Sequence, residues 1–397
     1  GTTMLLRIES VTLQNNAGTP TAPFVGVTYF PRYPGGDQDT VTETIQAFFN
    51  GSTSTLVSLV NDIENDLDRA GDPGEDPIYL EYRAGDSGTI WRSPIVGGRV
   101  VWSDDIRERS IAATTATGQL SIIVERRAYW EGAESTIGSG TVKNGTASPY
   151  NALTLSTISG TLPAPISVNI DNANGSINTR NFYLNIDNQV GLTTNQQFLT
   201  SSTTVGALKI FSVSSSVLGK FAGQDAQIIA GIASASVSQY YMYSALYTTI
   251  GGVYQELMRG KERYVNGGEL VELGSLALPP GGNANADFAV AVGVYPTSVT
   301  YTMSFVHIAQ ARHALHLIQP AYTLSSTAAI QEDGTNETAW MENGGSTYEL
   351  IRRSGGPLMV YPGKTPRLHL LWDTTAGLVT TESMSLTVTY RPRRKTI

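Results

Sequence analysis

The chain has 397 residues, enough to build two or three hydrophobic cores rather than one. A hydrophobic fraction of 41% excludes disorder as the main theme, although only 15% of residues are charged, against the roughly 25% usual for soluble domains. The formal net charge of −8 argues against free DNA or RNA as a ligand, and the count of zero cysteines removes disulfides, thiolate nucleophiles and cysteine metal sites together.

Ser, Thr, Asn and 40 Gly take the place of the charges. With Val, Ile and Tyr they form the vocabulary of half-buried strands joined by tight turns, so a mainly β fold is expected. The N-terminal GTTMLLRIESVTLQ has too short an apolar run and too early a charge for a signal peptide. No stretch approaches the ~18 apolar residues of a membrane span. A soluble product made in the cytoplasm, without membrane insertion, is the expectation.

In chain order, Met4 to Gln14 and Phe24 to Tyr29 read as strands, followed by the turn-rich PRYPGGDQD. Thr40 to Asn50 alternates, with Val41, Ile45, Ala47 and Phe49 on one side and Thr42, Thr44 and Gln46 on the other. Leu56, Leu59, Val60, Ile63 and Leu67 then repeat at three and four, which predicts one helix at about 53–70, capped from Ser52 to Ser54 and stopped by Gly71 before Pro73. PIYLEYRAG, IVGGRVVWS and QLSIIVERRAYWEG add three strands. Residues 1–134 are thus expected to form a β-rich α+β domain with one packed helix.

IGSGTVKNGTASPYN reads as turn-forming and places a boundary there. Over 135–310, runs such as ISVNI, NFYLNI, ALKIFSV, QYYMYSALYTTI, GVYQELMRG, LVELGSLAL and DFAVAVGVY carry strand chemistry between turn residues, the pattern of a jelly-roll-like β-sandwich. SSSVLGKFAGQDAQIIAGIASAS is ambiguous between loop, helix and strand. Residues 311–397 hold a polar insertion, QEDGTNETAWMENGG, then GPLMVYPGKTPRLHLLW and MSLTVTYRPRR, a C-terminal β extension that completes a sheet or forms a small third domain.

Three segments carry a resemblance: VERRAYWEGA (Val124 to Ala133), GTLPAPISVNI (Gly160 to Ile170) and LTVTYRPRR (Leu386 to Arg394). In this order they resemble tail proteins of long-tailed (siphovirus-like) bacteriophages, in particular distal-tail-like and other minor tail proteins. The resemblance implies an N-terminal β-rich domain that closes into a homo-oligomeric ring, an outward jelly-roll domain, contacts with tube and tip proteins, and a place in the virion tail, assembled in the bacterial host cytoplasm. The chain departs from that pattern in its extra segment after about residue 311. Sparse charge fits the same job, because a ring subunit buries its sheet edges against its neighbours. Arg391, Arg393, Arg394 and Lys395 make a basic end that could dock on a neighbour's acidic patch or stand as a solvated tail.

Motifs for chemistry are weak. AGDSGT at Ala84 to Thr89 looks like the nucleophile turn of trypsin-like proteases, but no His precedes His307, so Ser87 reads as a turn residue. PGKT at Pro362 to Thr365 has Leu358 where a phosphate loop needs its earlier Gly. His307, His313 and His316 fall within ten residues, yet on a strand 313 and 316 point to opposite faces and no carboxylate is near until Glu332. In DIENDLDRAGDPGED, counting from Asp66, the fifth and twelfth positions of a calcium loop would be Ala70 and Pro77, so the pattern fails. Tyr240, Tyr241, Tyr243, Tyr247 and Tyr254 could line a sugar-binding face, with strand packing the commoner use of such residues.

The sequence therefore points to a non-enzymatic tail component with no catalytic residue, cofactor or metal, whose partners are copies of itself and other tail proteins. A carbohydrate-binding host-recognition module or adhesin, with a host-surface glycan as partner, and a tail tube or other virion coat protein are the alternatives. A glycosidase would need two carboxylates set across a cleft, and no motif points to such a pair.

Overall fold

The computed structural model describes residues 4–85, 87–102, 114–143, 151–188, 197–213, 224–267, 270–278, 288–373 and 382–397. The chain is mainly β, with one α-helix among the described residues. It divides into unit 1, made of Gly1–Ser135, Ser159–Leu162 and Arg391–Ile397, and unit 2, made of Thr136–Ile158 and Pro163–Tyr390.

Unit 1 contains β1 (Leu5–Ile8), β2 (Val11–Gln14), β3 (Phe24–Thr28), β4 (Thr40–Ser52), α1 (Thr53–Arg69), β5 (Tyr79–Arg83), β6 (Trp91–Trp102), β7 (Thr115–Arg127) and β8 (Trp130–Glu131). They form an antiparallel sheet in the order β2-β1-β5-β6-β7-β4-β3, and the C-terminal strand Arg393–Arg394 joins β8. The stretch Met4 to Gln14, expected as one strand, is two: Glu9, at φ 45°, reverses the chain so that β1 and β2 pair with each other. Strands β4 and β7 pair along their whole length, from Thr40 opposite Arg127 to Ser52 opposite Thr115.

The alternation read in β4 puts Val41, Ile45, Ala47 and Phe49 into the core, where Leu56, Val60, Ile63 and Leu67 of α1 meet the same face. The Ser52 hydroxyl accepts from the Thr55 amide and caps the helix. Gly98 of β6 permits the close approach, because a Cβ there would lie 3.0 Å from a Leu67 methyl.

Unit 2 holds two β-sandwiches. In the first, a five-stranded sheet ordered Ala152–Thr154, Arg367–Trp372, Asn181–Asp187, Ala314–Ile318, Ile351–Ser354 packs on a seven-stranded sheet centred on Ala164–Asn172, which is flanked by Ala329–Asp333 and Ser383–Tyr390. Phe182, Leu184, Leu370 and Trp372 fill the core against Ile166, Val168, Leu386 and Val388. Between Asn181–Asp187 and Ala314–Ile318 the chain builds the second. There a four-stranded sheet holding Asp225–Ala235 and Tyr301–Gln310 packs on a six-stranded sheet holding Leu208–Ser212, Phe288–Tyr295, Gln239–Ile250 and Val253–Arg259.

Several local expectations differ from this. IGSGTVKNGTASPYN, read as turns, contributes most of the strand Ser135–Lys143, whose Ile137 and Val142 enter the core; residues 144–150 lie outside the described set. The polar insertion forms the hairpin Ala329–Asp333 with Thr338–Asn343, since Ile330, Ala339 and Met341 supply an apolar face between exposed polar residues. Of the ambiguous stretch, Asp225–Ala235 is a strand, and 214–223 lies outside the described residues. From residues 314–390, the strands Ala314–Ile318 and Arg367–Trp372 take inner places in one sheet of the first sandwich and Ala329–Asp333, Thr338–Asn343 and Ser383–Tyr390 in the other, while Ser346–Glu349 and Ile351–Ser354 form edges.

Candidate functional site

The sheet of unit 1 ends on β3, whose described hydrogen-bonding partner is β4 alone. FVGVT carries no charge and no Pro, and the one edge-blunting feature it shows is a bulge at Val25, where the register with β4 shifts between Phe24 and Gly26. Val25 is 61% exposed, and just beyond the strand Phe30 and Tyr33 are 84% and 67% exposed. The outward row of β4, Thr42, Thr44, Gln46, Phe48 and Asn50, is likewise uncharged. Gln46 accepts from Gln119 and from Ser121, and Asn50 accepts from Thr117, so this row is hydrogen-bonded to β7, whose exposed charges on the same face, Glu125 and Arg127, stand opposite Thr42 and Thr40 at the far end.

The backbone between the two exposed aromatics is anchored. Arg126 donates from Nε and Nη2 to Glu43 Oε1 at 2.9 and 2.7 Å, both side chains being fully buried. Glu43 accepts the Arg32 amide at 3.0 and 3.1 Å on its two oxygens, and Arg126 Nη2 donates to the Arg32 carbonyl at 3.1 Å. The backbone of Arg32 is therefore gripped at both polar groups between Phe30 and Tyr33. Trp130 stacks beneath the Arg126 guanidinium at 4.3 Å, and burial pushes the neighbouring Tyr29 phenol far above its usual range, beside the charge of Glu43.

Residues of all three sequence motifs meet in unit 1. Glu131, almost fully buried, accepts from Arg393 at 2.8 and 3.1 Å and lies 3.3 Å from Arg92. Arg393 also bridges Leu162, stacks on Tyr129 at 4.0 Å, and is approached by Gly160, at φ 103°, where a Cβ would lie 2.7 Å from the Arg393 carbonyl. The basic end is thus no solvated tail: Arg391 donates to the Gly132 carbonyl, Arg394 lies over Trp91, and Lys395 donates to the Gly36 carbonyl.

No family model matches this chain, and no curated protein matches it significantly.

Ser87 sits exposed in a bend, and Asp86 lies outside the described residues. Pro362 to Thr365 form a turn leading into the strand Arg367–Trp372, with no helix N-terminus to face a phosphate. Asp66 of the acidic run is buried on α1, where Ser10 and Arg69 donate to it at 3.0 and 2.8 Å, a helix-anchoring role. No group of three or more His, Asp or Glu among the described residues is arranged to hold a metal.

The three clustered histidines have separate surroundings. His316 stacks on Tyr183 at 4.4 Å and its Nε2 is 2.8 Å from Asn181 Oδ1, and His313 faces the ring of Tyr361. His307 pairs instead with the distant His369, at 5.3 Å between ring centres, while the Asn185 amide reaches its Nε2 at 3.0 Å. Both imidazoles are wholly buried: burial lowers His307 to about 3, and burial, then the charges of His307 and Arg367, hold His369 well below its usual range. Sequence spacing had no means of finding this pair, since cross-sheet packing makes it. Of the tyrosines, Tyr240, Tyr243 and Tyr247 are buried, whereas Tyr241 is exposed beside Tyr264 and Tyr295, neither of which the sequence singled out.

Proposed function

We propose that this chain is a non-enzymatic structural subunit that works by assembling with copies of itself, as a tail component of a bacteriophage-like particle. The observation that carries the reading is the uncharged edge strand β3, followed by the exposed aromatics Phe30 and Tyr33 on either side of the anchored Arg32 backbone. A lone protein would leave such an edge open to indiscriminate pairing; a symmetric assembly gives it a defined partner. Low charge on the outward row of β4 favours close subunit packing, since few ions need to be desolvated.

The resemblance of Val124 to Ala133, Gly160 to Ile170 and Leu386 to Arg394 to distal-tail-like proteins supplies the particle. The meeting in unit 1 of Glu131, Gly160, Leu162 and Arg393, one or more from each of those motifs, supports it, while the remainder of the second and third motifs pairs as neighbouring strands in unit 2. In this reading the chain resides in the virion tail and touches tube and tip proteins. Electron microscopy of the purified chain tests it: rings or other closed oligomers support the proposal, and a featureless field of single molecules at high protein concentration overturns it.

A further inference from the structure

A second surface lies in unit 2, on the outer face of the six-stranded sheet. In the register of the strand Gln239–Ile250, Tyr241 stands opposite Tyr264 on one side and Tyr295 on the other. Directly opposed residues project to the same face, so the three phenols form one row across three strands. They are 55%, 43% and 58% exposed in the order Tyr264, Tyr241, Tyr295, and the first two rings are 5.5 Å apart.

The rest of this strand face is treated differently. Tyr243 lies against Gly293 and under the Arg259 guanidinium at 4.3 Å, and Tyr247 donates its hydroxyl to Glu256 at 2.9 Å. Arg259 and Glu256 are themselves paired at 2.7 Å. The chain thus covers Tyr243 and Tyr247 with its own side chains and leaves the Tyr241 row bare. The opposite face of the strand is served by Tyr240 and Met242 in the core, so the row adds nothing to the packing of the sandwich.

We propose that the row Tyr264, Tyr241 and Tyr295 is a binding platform for an uncharged glycan chain. Exposed rings standing in a row, with Tyr241 and Tyr264 inclined at 60° to each other, offer ring faces to the C–H groups of sugar rings, and their hydroxyls offer hydrogen bonds to sugar hydroxyls. Two interstrand steps span about 10 Å, room for a short run of sugar units. The charged residues just before Tyr264 are mixed, Arg259, Lys261 and Arg263 with Glu256 and Glu262, and Arg259 is already neutralised by Glu256, so the row is not set in a field of one sign. Single-stranded nucleic acid also stacks on aromatic rows but relies on a cationic groove for its phosphates, and a chain of net charge −8 argues against one. A protein partner needs a patch of roughly 500 Å² or more per side with anchors in pockets, and three rings on a flat sheet do not provide that. The inference stands on unit 2 and is independent of the assembly reading.

Isothermal titration of the full chain with cellohexaose, maltohexaose and chitohexaose tests it, alongside the variants Tyr241→Ala and Tyr264→Ala and the remote control Phe30→Ala. At least one hexasaccharide binds the parent chain, binding weakens tenfold or more in each row variant while thermal melting is unchanged, and Phe30→Ala binds as the parent does. Absence of heat with all three sugars overturns the inference. So does a loss of self-association in Tyr241→Ala, which would assign the row to a second copy.

Discussion

Arg126 Nη2 lies 2.7 Å from Glu43 Oε1 in the interior of unit 1, and the two side chains together hold both polar groups of the Arg32 backbone. A buried ion pair of this kind adds little net stability over a packed apolar pair, yet losing one partner strands the other charge. The pair therefore acts as a fixed point from which the chain presents Phe30 and Tyr33.

Replacing one member makes this measurable. Arg126→Met should lower the unfolding free energy by about 3–5 kcal/mol, because Glu43 is left buried and ionised without its counter-ion. The double variant Arg126→Met, Glu43→Leu should recover part of that loss. Urea unfolding followed by tryptophan fluorescence reads both, and a cost below about 1 kcal/mol for the single variant contradicts a pair that is desolvated as described.

Gly160 offers a second test, because its φ of 103° and the nearby Arg393 carbonyl leave no place for a side chain. Gly160→Ala should destabilise the chain by about 1–3 kcal/mol and loosen the C-terminal strand. Limited trypsin digestion then cleaves after Arg393 or Arg394 faster than in the parent chain. Equal rates would mean that Gly160 does not hold that strand.

The buried imidazoles set a pH dependence. A histidine with a depressed folded-state pKa binds its proton more readily in the unfolded chain, so stability is full above the unfolded value near 6.5 and is lost as pH falls towards 3. His307 alone should cost about 2–3 kcal/mol at pH 4.5. Glu332 slopes the other way: burial raises its carboxyl to about 7 despite Arg352 at 2.7 Å, so its stabilisation is lost as pH rises towards 7. The histidine effect is isolated by subtracting the stability of His307→Leu from that of the parent at each pH. That difference should fall between pH 7 and 4.5, and a flat difference contradicts the assignment.

The β fold and α1 were legible because both rest on local periodicity: period two in Thr40–Ser52, and three-four spacing from Leu56 to Leu67. The strand Ser135–Lys143 was hidden by its glycines, since Gly138 and Gly140 signal turns when read locally, whereas the neighbouring strands decide. The open edge β3 was readable as a strand but not as an edge, because strand order is set by pairing over long sequence distances. The His307 and His369 pair and the Tyr241 row were beyond reach for the same reason: 62 and 54 residues separate the members that meet, counting 369 − 307 and 295 − 241.

Self-association through β3 is the claim on which the functional reading depends, and one lysine addresses it. Val25 projects from the edge strand with 61% of its surface exposed, so Val25→Lys should leave folding intact while placing a charge where a sister copy must pack. Sedimentation velocity of the parent chain and Val25→Lys across a wide concentration range is the direct measurement. Discrete oligomers are expected for the parent and monomers for Val25→Lys, with an unchanged melting temperature. A parent chain that stays monomeric throughout, or oligomers indifferent to the lysine, would contradict that claim.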